Sequence, residues 1–414
     1  MATVYTPLSG GAMANDLLFY MASRAFAGAG GTMIRSAIAW HLYTLTGSAF
    51  DLGLMGAVQI GPALLLALPA GLVSDRFERR RVIQVAQAIT LVATGALAAE
   101  TFSGRVDGAA PLFVILAVLT AAAAFSNPAR SALLPLLVSR AEFPRVVTTA
   151  STIQALAFAL GPALTGLTVA WAGIAWAYVA GALLVGGSIA TLMFLSVRPP
   201  AANQGALSFA SMLEGLRHVR GEPVVLGAMS LDLFAVLLGG ATALLPVYAN
   251  DVLRVGASGY GVLSASLEVG ALATAVVLLF IPPIRRVGRA LLLTVTAYGL
   301  ATIAFGLSTW FPLSVVAPAA AGMADQVSVV LRQTTIQLQT PDHLRGRVSS
   351  VSSIFIGASN QLSAVESGFV AAATSAPFAV VSGGLGVLVV VAIVAFALPA
   401  LRRYELERPS ALGR

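Results

Sequence analysis

Four acidic residues stand inside long apolar stretches of the chain, where a charged side chain has little access to water. They are Asp232, Glu268, Asp325 and Glu366. A charge at the centre of a bilayer costs at least about 3 kcal/mol on insertion scales, so its presence suggests a function or a partner. Desolvation disfavours the charged form of a carboxyl, so such a group can bind and release protons near neutral pH. These four residues are the candidates for a proton-binding site.

Four arginines also lie within or at the edge of apolar stretches, namely Arg24, Arg35, Arg130 and Arg332. Each of these arginines could have either a structural role or a role in ligand binding. Asp325 and Arg332 fall on one helix face about two turns apart, and they could interact through neighbours or water. Arg130 and Arg332 could snorkel from helix ends. Arg35 has no local partner, so it could pair with a distant acid or meet an anionic ligand, whereas Glu268 and Glu366 have no nearby basic residue.

The elements that must position these charges are predicted to be membrane-spanning helices. Of the 414 residues, 58% are hydrophobic and only 10% are charged, whereas soluble domains carry about 25% charged residues. A spanning helix needs about 20 apolar residues. Twelve stretches of suitable length lie roughly at 17–43, 50–73, 82–101, 110–136, 146–171, 174–196, 223–249, 257–281, 290–309, 311–338, 348–374 and 376–400. We therefore predict an all-α integral membrane protein with twelve transmembrane helices.

The chain also divides into two related halves. Its longest polar break, 197–222, is central and contains an amphipathic segment, Ser208 to Arg220, expected on the membrane surface. This predicts two six-helix bundles, 1–196 and 223–414, joined by a cytoplasmic linker. One offset along the sequence aligns Arg130 with Arg332, Arg145 with Arg347 and Gly166 with Gly368, and a second aligns Arg24 with Asp232. Chance among Ala- and Gly-rich helices is the alternative reading, and the second alignment suggests an ion pair between Arg24 and Asp232.

The distribution of arginine predicts the orientation of the chain. Most arginines fall in segments that are cytoplasmic if the N-terminus is inside, and the predicted outer loops hold only Arg105 and Arg254. Such a bias places both termini in the cytoplasm. It also accounts for the net charge of +7 without a nucleic-acid partner. We expect a multi-pass protein of a bacterial cytoplasmic (inner) membrane, with a retained first helix.

The composition argues against catalysis and bound cofactors. There is no cysteine, and the three histidines are scattered, so neither a thiolate nor a zinc cluster is expected. No Walker phosphate-binding loop is present, which excludes ATP as the energy source. The sequence predicts no metal, no cofactor and no enzymatic activity.

The loop after the second apolar stretch carries the most specific motif. Residues 71–81 read GLVSDRFERRR. They resemble the loop 2–3 motif of the major facilitator superfamily, matched here by Gly71, Asp75, Arg76, Arg79 and Arg80. Gly71 would let two helices approach closely. The resemblance implies that Asp75 meets the positive N-terminus of helix 11, and that the arginines pair with acids and lipid headgroups, forming a latch. A plain cytoplasmic basic loop is the alternative.

Other segments resemble one branch of the superfamily in particular. Glu78 replaces the usual glycine of the motif, as in the siderophore-exporter and transmembrane-secretion-effector branch, which includes enterobactin-exporter-like, macrolide and multidrug efflux proteins. The segments 40–48, 128–135, 214–217 and 345–348 are similar to the same branch. The resemblance covers nearly the whole chain. It implies two pseudo-symmetric six-helix bundles, although the counterpart loop at 282–289 has Pro283 in place of the acid.

A second motif lies in the fifth apolar stretch. Residues 157–166 read AFALGPALTG and resemble the antiporter motif of the same superfamily through Gly161, Pro162 and Gly166. Proline bends a helix because it lacks an N–H, and small residues allow close packing. Ala157 and Thr165 replace two usual glycines. The motif favours export over uptake, and an ordinary Gly/Pro kink is the alternative.

We therefore expect a secondary transporter that couples protons to the efflux of an amphipathic organic compound (a drug, macrolide or siderophore) by alternating access. We expect a monomer in the bilayer. An uptake symporter or facilitator and a lipid flippase remain open within the same fold. A non-transporting receptor or assembly factor is the alternative of another class.

Overall fold

The computed structural model describes residues 10–139, 142–196, 209–282, 284–341 and 344–405. Within these ranges all regular structure is helical, which confirms the predicted fold class. Ser208 and Pro283 lie outside the described residues, as does the side chain of Asp75.

The first part of the chain forms seven helices. They are α1 (Gly10–Thr46), α2 (Ala49–Leu65), α3 (Ala67–Arg76), α4 (Arg79–Phe102), α5 (Ala110–Leu133), α6 (Phe143–Ala172) and α7 (Ile174–Met193). Glycines with positive φ end two of them, Gly47 after α1 and Gly173 after α6. Only glycine adopts this backbone region without steric cost, so the chain reverses there.

The second part contains nine helices. They are α8 (Phe209–Gly221), α9 (Pro223–Leu238), α10 (Leu245–Val247), α11 (Gly256–Leu278), α12 (Val287–Leu307), α13 (Phe311–Gln339), α14 (Arg345–Ala373), α15 (Ala376–Ala397) and α16 (Pro399–Arg403). Several begin with a proline in the first turn, including α9, α13 and α15. Proline suits this position because the first amides of a helix have no intrahelical acceptor.

Each predicted apolar stretch coincides with helix, with two internal breaks. The second stretch is divided at Leu66 into α2 and α3. The seventh is interrupted after α9 at Gly239 and Gly240, and the chain continues to Val252 through a 3₁₀ turn, α10 and a π turn. A Cβ at Gly240 would lie 2.6 Å from the Ser367 hydroxyl, so close packing requires glycine there.

Nine helical segments of the described residues are long and apolar enough to cross a bilayer. Of the other predicted spans, α2 has only 17 residues, and α1 and α14 are long but more polar. The number twelve therefore stays a prediction, whereas the polytopic helical architecture is confirmed.

The chain folds as two units. Within the described residues, the N-terminal unit comprises 10–46 and 58–196, and the C-terminal unit comprises 47–57 and 209–405. The segment 47–57 joins the C-terminal unit because Gly53 and Gly56 pack against α14. A Cβ at Gly56 would lie 2.7 Å from the carbonyl oxygen of Gln361.

The amphipathic segment forms helix α8 from Phe209 onwards. Its buried Val219 joins a cluster with Ile336 and Val348, and Glu214 forms an ion pair with Arg347. The helix therefore packs on the C-terminal unit, and its position on the membrane surface stays a prediction.

Candidate functional site

A buried ion pair lies inside the C-terminal unit. The guanidinium of Arg332 on α13 donates a hydrogen bond to the carboxylate of Asp232 on α9. The two residues are only 3% and 7% exposed, respectively. The internal repeat matched Asp232 with Arg24, and an ion pair between those two residues stays a prediction. The enclosed position of Arg332 corrects the expectation that its side chain snorkels.

Two further carboxylates are linked to this pair, one directly and one through the other. Asp325 on α13 interacts electrostatically with Asp232, with Arg332 and with Glu268 on α11. We call Asp232, Glu268, Asp325 and Arg332 the acid cluster. Three of the four acids that the sequence singled out are thus linked, with Asp232 and Asp325 interacting with Arg332 and Glu268 interacting with Asp325.

Small residues bring the helices of the acid cluster together. A Cβ at Gly322 of α13 would lie 2.8 Å from the carbonyl carbon of Leu267, and one at Gly270 of α11 would lie 3.0 Å from the Cα of Ala319. The backbones of α11 and α13 are therefore in direct contact, as is usual where glycines line a membrane-helix interface. Glu268 and Asp325 stand beside this contact, which explains why their charges interact.

Glu366 has a different environment. Its carboxylate accepts a 3.1 Å hydrogen bond from the hydroxyl of Ser367. The side chain is partly exposed, and no ion pair involves it within the described residues. The structure therefore places Glu366 outside the acid cluster.

The N-terminal unit contains a cavity of about 160 Å³. Arg24 and Arg35 from α1 and Arg130 from α5 all line it. The sequence singled out these three arginines separately, and the structure brings them to one cavity. No acidic side chain lines this cavity within the described residues.

Arg130 has a more enclosed position than the sequence suggested. It is 7% exposed, and its guanidinium donates to the hydroxyls of Ser23 at 3.3 Å and Ser188 at 3.2 Å. Its carbonyl accepts a 2.9 Å hydrogen bond from Tyr20. The expectation of a snorkelling side chain is therefore wrong, because Arg130 is held by neutral groups inside the bundle.

Sequence reasoning missed the amide side chains of the same cavity. Gln87, Asn127 and Gln154 line it together with Thr90. Gln87 and Thr90 are about one turn apart on α4, so they share one face of that helix. Asn127 and Arg130 are likewise about one turn apart on α5 and share one face of it. This helical spacing relative to a buried arginine is the signal that could have found them.

The loop 2–3 motif joins helix ends within the N-terminal unit. Arg79 is 1% exposed and donates to the carbonyl of Ala132 at 3.2 Å. Arg80 donates to the carbonyls of Met193 at 3.0 Å and Leu195 at 2.5 Å. These carbonyls lie at the ends of α5 and α7, where backbone acceptors have no intrahelical donor.

This arrangement corrects part of the expected latch. Arg81 pairs with Glu78 at 2.7 Å as expected for an arginine and an acid, but Arg79 and Arg80 bond main-chain carbonyls. A Cβ at Gly71 would meet no described atom within 4 Å, and a role for this glycine in close helix approach stays a prediction. Arg76 is exposed, and a role for Asp75 stays a prediction.

The antiporter-like motif packs α6 tightly on α1. A Cβ at Gly161 would lie 2.8 Å from the backbone nitrogen of Met33. Thr165, which replaces a usual glycine, donates to the carbonyl of Met33 at 2.9 Å. Gly166 is buried, and α6 continues through Pro162. The motif thus fixes a close helix contact, whereas its relation to export stays a prediction.

Taken together, many apolar helices with arginines and carboxylates enclosed among them define a multi-pass membrane transporter. The sequence profile of the Major Facilitator Superfamily matches residues 20–365, and the chain belongs to this family. It is a transporter and not an enzyme.

Two relatives of this chain are efflux proteins. The chain is 28% identical over 412 residues to the multidrug efflux pump Tap of Mycobacterium tuberculosis, covering 96% of each chain. It is 25% identical over 387 residues to the enterobactin exporter EntS of Escherichia coli, covering 90% of this chain and 89% of the exporter. Among solved structures, the nucleoside transporter NupG superposes with a TM-score of 0.72 at 14% identity, covering 94% of this chain and 99% of NupG. The last similarity concerns the fold alone.

Proposed function

We propose that the chain exports amphipathic organic compounds in exchange for protons, by alternating access of its two halves, 1–196 and 223–414. Tap is a multidrug efflux pump and EntS is an enterobactin exporter, and both support efflux as the direction. The antiporter-like motif at Gly161, Pro162 and Gly166 supports exchange. The arginine distribution supports a bacterial inner-membrane protein with both termini in the cytoplasm.

The acid cluster is the observation that carries the proton proposal. Three carboxylates and one guanidinium would hold a net charge of −2 if every group were ionised. Charge inside the membrane is costly, and neighbouring carboxylates disfavour simultaneous ionisation. Proton uptake by one or two acids therefore lowers the negative charge of the acid cluster, and proton release restores that charge.

Within the cluster the roles differ. Asp232 is engaged with Arg332 in the ion pair, so its carboxylate is compensated. Asp325 interacts with Arg332 but also with the charge of Glu268. We assign proton exchange to Glu268 and Asp325, and we assign Asp232 and Arg332 to holding α9 and α13 together.

Transport into everted membrane vesicles tests this proposal. Their lumen corresponds to the outside, so an acidic lumen should drive accumulation of a panel of anionic, neutral and cationic amphipathic dyes. Glu268→Gln and Asp325→Asn should abolish accumulation driven by the pH gradient, while dye exchange without a gradient persists. Glu366→Gln, an acid outside the cluster, and Glu214→Gln, an exposed acid, are the matched controls.

Three results would contradict the proposal. Wild-type accumulation in both Glu268→Gln and Asp325→Asn would remove the cluster from coupling. Dependence on a sodium gradient instead of a pH gradient would replace the proton. Accumulation only when the lumen is alkaline would show that dye and protons move in the same direction. Such a symporter would take up its substrate when the outside is acidic.

A further inference from the structure

We propose that the cavity of the N-terminal unit binds the anionic group of an amphipathic organic substrate. This inference rests on the proposed export function and specifies the class of substrate. It is carried by four features of the cavity, namely its uncompensated positive charge, the spacing of that charge, one unsatisfied amide oxygen and its apolar wall.

The first feature is charge without a counter-ion. Arg24, Arg35 and Arg130 bring three guanidinium groups to one cavity. Guanidinium stays protonated in proteins, and the described lining contributes no carboxylate. An uncompensated charge in a low-dielectric site is costly, so a bound anion stabilises this arrangement.

The hydrogen bonds of these arginines go to neutral atoms. Arg24 donates to the carbonyl of Ala150 at 3.2 Å, and Arg130 donates to the hydroxyls of Ser23 and Ser188. Arg24 and Arg130 also lie near enough for their charges to interact. Neutral acceptors orient a guanidinium but do not cancel its charge, so this end of the cavity carries two like charges.

The second feature is spacing along α1. Arg24, Gly28, Gly31 and Arg35 follow the i, i+4, i+7, i+11 pattern of one helix face. The arginines are therefore roughly 16 Å apart along the axis at 1.5 Å per residue. A Cβ at Gly31 would meet no described atom nearer than the Nη2 of Arg35 at 3.7 Å. Gly31 therefore leaves room between the two positively charged ends, whereas Gly28 packs closely against Ala157 of α6.

The third and fourth features are polarity and apolar surface. Gln87 is 8% exposed, and its buried Oε1 has no hydrogen-bond partner among the described residues. An unsatisfied buried amide oxygen is unusual, and Gln87 is one of the residues that line the cavity. Ile34, Leu119 and Phe158 line the same cavity. A ligand with an acidic head, a donor group and an apolar body matches this lining.

A lipid headgroup phosphate offers the same chemistry as the acid of a soluble substrate. The observations favour a substrate, because the cavity combines arginines, amide groups and apolar side chains from α1, α4, α5 and α6. The experiment therefore varies the lipid as well as the protein.

The test measures binding of two dyes with related aromatic bodies and different charge to the full chain in nanodiscs of phosphatidylcholine. Fluorescence anisotropy gives Kd for carboxyfluorescein, an anion, and for rhodamine 123, a cation. We expect the anion to bind more tightly. Arg35→Gln and Arg24→Gln should weaken carboxyfluorescein binding by about 10-fold or more, as expected for a lost charge-assisted hydrogen bond. Arg35→Lys, which keeps the charge, should retain most of the affinity.

Arg105→Gln removes an exposed arginine outside the cavity and is the matched control, with size-exclusion profiles confirming that every variant is folded. No measurable carboxyfluorescein binding, equal affinity for both dyes, or unchanged anion binding in folded Arg35→Gln and Arg24→Gln overturns the proposal. Nanodiscs with phosphatidylglycerol supply the lipid arm, and arginine-dependent competition by this lipid overturns the substrate assignment.

The binding experiment and the transport experiment can fail independently of each other. Arginine-dependent anion binding supports this inference even if the acid-cluster variants show no loss of pH-driven accumulation. Conversely, pH-driven export of dyes with no preference for the anion supports the proposed function and overturns this inference.

Discussion

The carboxylate of Asp232 and the guanidinium of Arg332 form an ion pair inside the C-terminal unit, joining α9 to α13. The pair is enclosed by apolar helices, so neither partner can be solvated when the other is removed. The pair therefore differs from the exposed pair between Glu214 and Arg347 in the same unit.

We predict that Asp232→Ala destabilises the protein by about 3–5 kcal/mol, because it leaves a buried guanidinium uncompensated. Thermal unfolding in nanodiscs, followed by tryptophan fluorescence, measures the change. Replacing both partners, Asp232→Leu with Arg332→Met, should recover most of the loss.

The exposed pair provides the control for this prediction. Glu214→Ala should cost less than about 1 kcal/mol, as surface pairs usually do. Equal losses in Asp232→Ala and Glu214→Ala would show that burial does not set the value of the Asp232–Arg332 pair.

We predict that Gly161→Ala disrupts the contact of α6 with α1. The added Cβ would lie 2.8 Å from the Met33 nitrogen, so backbone must shift, at about 1–3 kcal/mol. The yield of folded protein and its unfolding temperature should both fall. Gly95→Ala is the matched change on α4, because a Cβ there meets no described atom within 4 Å, and it should be neutral or stabilising.

A third prediction concerns the arginines of the loop motif. Arg79→Ala should destabilise the N-terminal unit by about 1–3 kcal/mol, since it removes a charged donor from the buried end of α5. Arg81→Ala removes only an exposed i, i+3 pair with Glu78 and should have a much smaller effect. Urea or heat unfolding of both variants measures the difference. A larger loss in Arg81→Ala would indicate that the motif acts through its surface charges.

A fourth prediction concerns the contact that assembles the acid cluster. Gly322→Ala places a methyl group 2.8 Å from the carbonyl carbon of Leu267, which separates α11 from α13 and so moves Glu268 away from Asp325. We expect reduced accumulation in everted vesicles under a pH gradient. Gly357→Ala on α14, where a Cβ has open space among the described atoms, should accumulate dye like the wild type.

Helix positions and transporter class follow closely from the sequence. The apolar stretches predict helices because a bilayer leaves no partner for backbone groups except within the helix itself. The breaks at Leu66 and at Gly239 escaped this reasoning, since a hydropathy pattern does not report where glycine or proline interrupts a run. The hydropathy pattern also did not predict that 47–57 belongs to the C-terminal unit, because this assignment depends on contacts of Gly53 and Gly56 with α14.

The sequence by itself determined that charged residues are buried in membrane helices, and it named the acids and arginines of both sites. Only the tertiary structure decided their partners. Asp232 meets Arg332 across helices one hundred residues apart in the chain, Arg130 meets two serines, and Arg24 and Arg35 share a cavity with Gln87. Helical periodicity fixes which residues share a face of one helix. It does not fix which face of another helix lies opposite, because that depends on the packing of small residues such as Gly270 and Gly322.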